Sequence, residues 1–333
     1  MLKKKFISGL TMVIAIVIGM WIPLRGSPPS QLAPAREPTG RSANIQVTKE
    51  GVRYLVPPDK IVSGGPAKDG IPSIDHPKFI SVEEADKWLA DDESVLAISC
   101  NGVDRVYPLQ ILVWHEIVND MIGGNPIVIT YCPLCGSGIA YERTIAGEAV
   151  EFGTSGKLYN SNLVMYDRKT DTYWSQIGGL AILGELAGER LVPVSIDTVV
   201  WGDWKVAHPE SEVLSRNTGY SRSYGRDPYG TYYEDDSIWF PVEARDDRVH
   251  PKTVMFGIEV NGVYKAYRES DLIAQGTIDD TIGAVAISIK RDPAGIVSVT
   301  NIESGEEIVK EREFWFAWYA FHPETLLYVD ERG

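Results

Sequence analysis

Residues 95–129 recur at residues 255–289, at a constant spacing of 160 and without a gap, with 11 identical positions that include Asn101/Asn261, Gly102/Gly262, Tyr107/Tyr267 and Asp120/Asp280. A chain that carries one unit twice must give both copies the same local structure and bury an apolar face of each. In each copy two β-rich runs, VLAIS and VDRVYPL or VMFGIEV and VYKAYR, meet at Asn-Gly, the pair that best tolerates the turn of a tight hairpin. QILVWHEIVND and SDLIAQGTIDD place apolar residues such as Ile111, Val118 and Ile122 at helical spacing, which predicts a short helix ended by Gly123-Gly124. NPIVITY then reads as a buried strand. Elsewhere AVEFGTSG, SNLVMYDRKT, DTYWSQ and GIVSVTN read as short strands between Gly and Asp turns, and SVEEADKWLAD (81–91) as a helix with a Ser81/Glu84 capping box. The expected fold class is α+β: a β-rich body with mainly antiparallel sheets and two pseudo-duplicated halves, after an N-terminal transmembrane helix.

That helix is expected from the first 22 residues. Lys3, Lys4 and Lys5 precede FISGLTMVIAIVIGMWI (6–22), a charge-free run of 17 residues. Such a run spans about 26 Å at a helical rise of 1.5 Å, near the lower limit for a bilayer core. It predicts a signal-anchor with the lysines on the cytoplasmic side; a cleaved signal peptide and a buried helix of a cytoplasmic protein are the alternatives. Residues 23–44 hold five prolines and read as an extended stalk, leaving 45–333 as the extracytoplasmic body. The expected location is therefore the cell membrane, single-pass, or secreted. The net charge of −14 becomes −19 over 45–333, because six of the basic residues and one Glu fall in 1–44. A body so acidic argues against tracking a nucleic-acid backbone.

Three cysteines are present: Cys100, Cys132 and Cys135. The last two stand in YCPLCGSG, where proline fixes one backbone angle and glycine frees another, so that both sulfurs can converge on one ion. Thiol redox chemistry and a structural disulfide are the competing readings. Four of the five histidines precede proline. His115 alone lies inside the proposed helix, and it matches Gln275 in the second copy, while Cys132 and Cys135 match Asp292 and Gly295. The thiols and imidazole thus belong to one half of a duplicated scaffold, as function grafted onto one copy would. Cys100 matches Val260 and reads as a buried hydrophobe or as a third thiolate. The expected metal set is Cys132, Cys135 and His115, with Cys100 a weaker member, and sulfur with imidazole suits copper, zinc or iron.

In FGTSGKLYNSN (152–162), Ser155 and Lys157 are expected to line a pocket; a serine–lysine nucleophile pair lacks a locally placed base. Residues 220–240 carry seven aromatic residues in a Gly/Pro-interrupted loop, suited either to a small ligand or envelope protein or to covering a sheet. No phosphate-binding glycine loop, zincin, hydrolase-elbow or haem-attachment motif occurs.

With VWHEIVND (113–120), ITYCPLCGSGIAYER (129–143), EFGTSGKLYNSNLVMYDRKTDTYWSQ (151–176), WGDWKVAHPESEVLS (201–215), YGRDPYGTYY (224–233) and FWFAWYAFHP (314–323), the chain resembles the prokaryotic family called domain of unknown function 3179. The resemblance implies a secretion or anchor segment before one extracytoplasmic body and carries no reaction with it. From the residues, the expected function is a membrane-anchored metal-binding or redox protein using the CPLCG knuckle. A non-catalytic envelope binding or structural protein with a Cys132–Cys135 disulfide, or an enzyme with its active site beside the Cys pair, are the alternatives.

Overall fold

The computed structural model describes residues 44–330. Both Asn-Gly pairs form two-residue turns with left-handed backbone at each position, φ 50° and 77° at Asn101-Gly102 and 53° and 80° at Asn261-Gly262. This is the geometry that matches the twist of a hairpin. Element bounds then repeat at the spacing of 160: Ser94–Cys100 with Val254–Val260, Val103–Pro108 with Val263–Arg268, Ile117–Ile122 with Thr277–Ile282, and, one residue shorter at its end, Asn125–Cys132 with Val285–Arg291. Pairing registers repeat too, Ile98↔Arg105 with Ile258↔Lys265 and Asp120↔Ile127 with Asp280↔Ile287. One polar device recurs inside the unit. Tyr107 Oη donates to Asp120 Oδ2 at 2.5 Å and Tyr267 Oη to Asp280 Oδ2 at 2.7 Å. A cation, Arg105 or Lys265, faces the same carboxylate in each copy.

The duplication reaches further than the first spacing carries it. Trp201–Ala207 and Trp315–Phe321 are helices of identical length, each entered from a strand (Asp197–Val200, Lys310–Phe314) and followed by His-Pro-Glu and a short strand (Glu212–Leu214, Leu326–Leu327). Here the spacing is 114. In both halves the entering strand pairs antiparallel with the first hairpin strand, and the leaving strand pairs parallel with the second. The two four-strand cores therefore share one order, and the first adds Phe79–Ile80 at its edge. A buried ion pair, Lys310 Nζ to Asp197 Oδ2 at 2.9 Å, joins the halves.

What shortens the second spacing is a segment that the second half lacks. Its strands Phe152–Tyr159, Asn162–Asp167, Tyr173–Ser175 and Ala181–Leu183 form a sheet with Val62–Ser63, Arg53–Tyr54 and Gln46–Val47, antiparallel throughout. This sheet packs its apolar face (Phe152, Met165, Trp174) into the same core as Cys132, Cys135 and Ile139.

Several expectations need correction. The helix foreseen through 110–120 is only Leu109–Leu112, and Ile117–Ile122 is a strand. Helical spacing of apolar residues cannot distinguish a helix from a short turn that feeds a strand buried on both faces. The 81–91 helix is reduced to Val82–Ala85, with the Ser81/Glu84 capping box in place. The apolar run 6–22 lies outside the described residues, and among those described no helix is long and apolar enough to cross a membrane. The single-pass anchor, the membrane as partner and the membrane location expected from that run find no support in any described helix.

Candidate active site

The metal set does not assemble. His115 is fully buried, and its Nδ1 lies 2.7 Å from the Pro72 carbonyl, which can only accept; Nε2 therefore accepts from Tyr224 Oη at 2.6 Å. Both ring nitrogens are thus committed, and burial pushes the imidazole pKa down. His115 holds the 218–226 loop through Tyr224, whose hydroxyl also meets Thr218 Oγ1 at 2.6 Å. Cys100 belongs to a different core, among Ile98, Tyr107 and Ile122, where its sulfur accepts from Asn125 Nδ2 at 3.8 Å. Among the described residues no group of three His, Cys, Asp or Glu is arranged to hold an ion. All three cysteines are free and buried, so the alternative of a Cys132–Cys135 disulfide is not formed.

Cys135 instead sits in a buried polar network. Cys135 Sγ donates to the Ser161 carbonyl and accepts from Asn162 Nδ2, both at 3.5 Å. Asn162 Nδ2 and Ser137 Oγ donate to Gln176 Oε1 at 2.7 and 2.8 Å, and Gln176 Nε2 donates to Thr130 Oγ1 and the Ser137 carbonyl. Burial first, then Cys132, pushes the Cys135 thiol well up, opposite to what a nucleophile or metal ligand requires. Native protein at pH 8 should consequently resist iodoacetamide at all three thiols, and unfolded protein should take up the label three times per chain. Intact-mass measurement distinguishes the two, and rapid native labelling of Cys132 or Cys135 would contradict this burial.

Close to the pair is a cavity of about 160 Å³. That is near the size of a protein void known to hold benzene, about 150 Å³. Its charged lining residues are Glu116 and Lys157; Leu134 of the CPLC turn, Tyr229, Trp239 and Phe240 complete the wall nearest the aromatic loop. Lys157 is delivered by a bulge. Between the pairs Thr154↔Met165 and Lys157↔Val164 the strand holds two extra residues, Ser155 and Gly156. Such an insertion re-aims the side chains around it. Gly156 has φ 69°, and a Cβ there would stand 2.3 Å from the Pro66 carbonyl. Ser155 is buried, its hydroxyl donating to the Val164 carbonyl and accepting from Lys157 N, so it closes the bulge and does not line the cavity.

Glu116 is the residue that reading of the sequence missed. Its backbone is left-handed (φ 58°), and the matching position of the second half is Gly276, φ 68°. The fold demands this conformation in both halves; glycine adopts it freely, whereas a side chain incurs about 1–2 kcal/mol. Glu116 N donates to the Leu112 carbonyl and its own carbonyl accepts from Tyr131 N, which fixes the strained residue between the helix and the strand leading to the CPLC turn. Its side chain is 7% exposed, and burial raises its pKa to about 7, only partly offset by Tyr229 Oη donating to Oε1 at 3.4 Å. The detectable signal was a glycine opposite a glutamate in the aligned copies.

The aromatic loop divides its work. Tyr232 is buried and donates to the Leu134 carbonyl at 2.8 Å, pinning the loop to the CPLC turn. Trp239 is 52% exposed and lies over Tyr229, with ring centroids 6.1 Å apart and planes 22° apart. On the far side of the pair, Glu313 is fully buried with neither carboxyl oxygen hydrogen-bonded; burial, then Glu311, then Cys132 push its pKa well up.

Fold and site define a duplicated, β-rich protein in which one half has acquired a sheet and, with it, a small cavity containing a strained, buried carboxyl. The chain belongs to the family described as Protein of unknown function (DUF3179), which it matches over residues 68–325. No curated protein and no solved structure matches it significantly.

Proposed function

We propose that this protein is an enzyme that moves a proton on a small molecule seated beside the Cys pair, with Glu116 as the general acid and base. The observation that carries the reading is Glu116 itself, a carboxyl kept at a left-handed position where the other copy has glycine. Backbone strain retained at a cavity is a mark of function. A carboxyl whose pKa is about 7 can both give and take a proton near neutral pH. Tyr229 orients it, Leu134 and the aromatic loop restrict water, and the Cys pair braces the turn behind it.

The test is incubation of the purified chain with a mixed pool of small metabolites, followed by mass spectrometry for depleted and newly formed species. Turnover by the wild type that vanishes in Glu116→Gln supports the reading. Isomerisation is silent in mass, so the pool is also incubated in deuterated water, where proton exchange at carbon appears as added mass. Ligand retention with neither turnover nor exchange would replace the enzyme by a non-catalytic binding protein using the same cavity.

A further inference from the structure

The cavity's two charged walls differ in one respect that speaks to its ligand. Glu116 is engaged by Tyr229, whereas the Lys157 ammonium makes no ion pair or side-chain hydrogen bond among the described residues. Most other lysines given a place in the interior are paired: Lys252 with Asp235, Lys310 with Asp197, Lys265 with Asp280. In a chain of net charge −14, carboxylates are plentiful, yet none meets this half-buried cation. The same cavity is lined by the apolar faces of Trp239, stacked with Tyr229, and by Phe240. Trp239 is half exposed at the mouth, although tryptophan is normally among the more buried side chains. Backbone geometry reinforces the placement. The bulge at Ser155-Gly156 is locked by Gly64 N donating to the Gly156 carbonyl and Asp69 N to the Thr154 carbonyl, so Lys157 stands on a fixed platform.

We propose that the cavity binds a small organic anion with a planar apolar body, a carboxylate of aromatic size, whose charged end meets Lys157 Nζ and whose flat face lies against Trp239 and Tyr229. This deepens the acid–base reading and rests on the same cavity, but it concerns recognition alone and needs no turnover. The lysine supplies the charge-assisted hydrogen bond that selects an anion, and the aromatic pair supplies contact area that is insensitive to the exact ring. The dimensions suit a single ring: about 160 Å³ leaves little space beyond a six-membered ring and its carboxylate.

Benzoate, benzamide and benzylamine make a matched series in which only the charge at the substituent changes, and titration calorimetry reads binding directly. Wild-type protein should prefer benzoate to benzamide by roughly ten- to a hundredfold, the range for a hydrogen bond to a charged group. Benzylamine should bind least. Lys157→Met should abolish that preference while retaining benzamide affinity, Lys157→Arg should restore it, and Trp239→Ala should weaken benzoate and benzamide alike. Retained benzamide affinity shows that the Lys157→Met cavity is intact. Failure of wild-type protein to bind benzoate at millimolar concentration, a preference for benzylamine, or an undiminished benzoate preference in Lys157→Met would overturn the proposal. These outcomes are separable from the enzyme reading: charge-selective binding without turnover loses only the catalytic role, and turnover of cationic or neutral compounds alone loses only the anion.

Discussion

Glu116→Gln is expected to give a protein that is inactive and more stable. In the folded state the Glu116 carboxyl keeps its proton up to about pH 7, whereas its ordinary value is 4.5. Between those values the folded chain binds more protons than the unfolded one, so this group makes wild-type stability fall as pH rises from 4.5 through 7 and then level off. At 1.36 kcal/mol per pKa unit the loss above pH 7 is about 3 kcal/mol. Glutamine does not titrate and can still accept from Tyr229. The variant should therefore exceed wild type by about 3 kcal/mol at pH 8, with the gap closing towards pH 4.5. Glu311, whose pKa burial also raises to about 7, is present in both proteins and cancels in the difference. Denaturant unfolding at several pH values measures it; a gap that does not change with pH would remove Glu116 from the account. Loss of a positioned proton-transfer group should lower turnover about 10²- to 10⁴-fold. Glu116→Gly would in addition relieve the left-handed strain and would copy what the second half does at Gly276.

Truncation of Trp204 or of Trp318 to alanine should cost about 3–5 kcal/mol each. Both rings are buried, and each donates from Nε1 to a hydroxyl seven residues on, Trp204 to Ser211 at 2.9 Å and Trp318 to Thr325 at 2.8 Å. Each also lies on the histidine that ends its helix, His208 at 3.9 Å or His322 at 4.2 Å between centroids. Equivalent surroundings predict losses that agree within about 1 kcal/mol, the usual context scatter of core truncations being larger than that. Since a domain's net stability is about 5–15 kcal/mol, either variant should unfold at much lower denaturant. A cost below about 1 kcal/mol for one of the pair would show that the two helices do not carry the same load.

Part of this organisation is legible in the chain alone. Asn-Gly between alternating β-formers sets a hairpin locally, and the spacing of 160 carries its two strands and the NPIVITY strand into both halves, because turn chemistry and strand pattern act over a few residues, whereas the strand Ile117–Ile122 reads as helix. The second matched pair, WGDWKVAHPE and WFAWYAFHPE, is equally present in the sequence, but at a spacing of 114 it falls outside the offset of 160; the parallel pairing of Glu212–Leu214 and Leu326–Leu327 with their hairpins joins the two matches into one unit.

The site itself was decided by tertiary structure. Cys132, Cys135 and His115 are the residues whose types announce chemistry, yet the fold commits both nitrogens of His115 to Pro72 and Tyr224, buries both thiols and ties Cys135 through Asn162 to Gln176. Residue type states what a side chain is able to bind, whereas its partners are assigned by segments tens of residues away. Nothing in the residue type of Glu116 distinguishes it beside His115, because neither burial nor a positive φ is written in the letter E. Its chemistry arises from burial, from Tyr229 more than a hundred residues downstream, and from the inserted sheet that lines the same cavity. Short-range turn and strand energies were thus determined by the sequence as written, while the pKa of one carboxyl and the solitude of Lys157 follow from desolvation and distance, which exist only once the chain has folded.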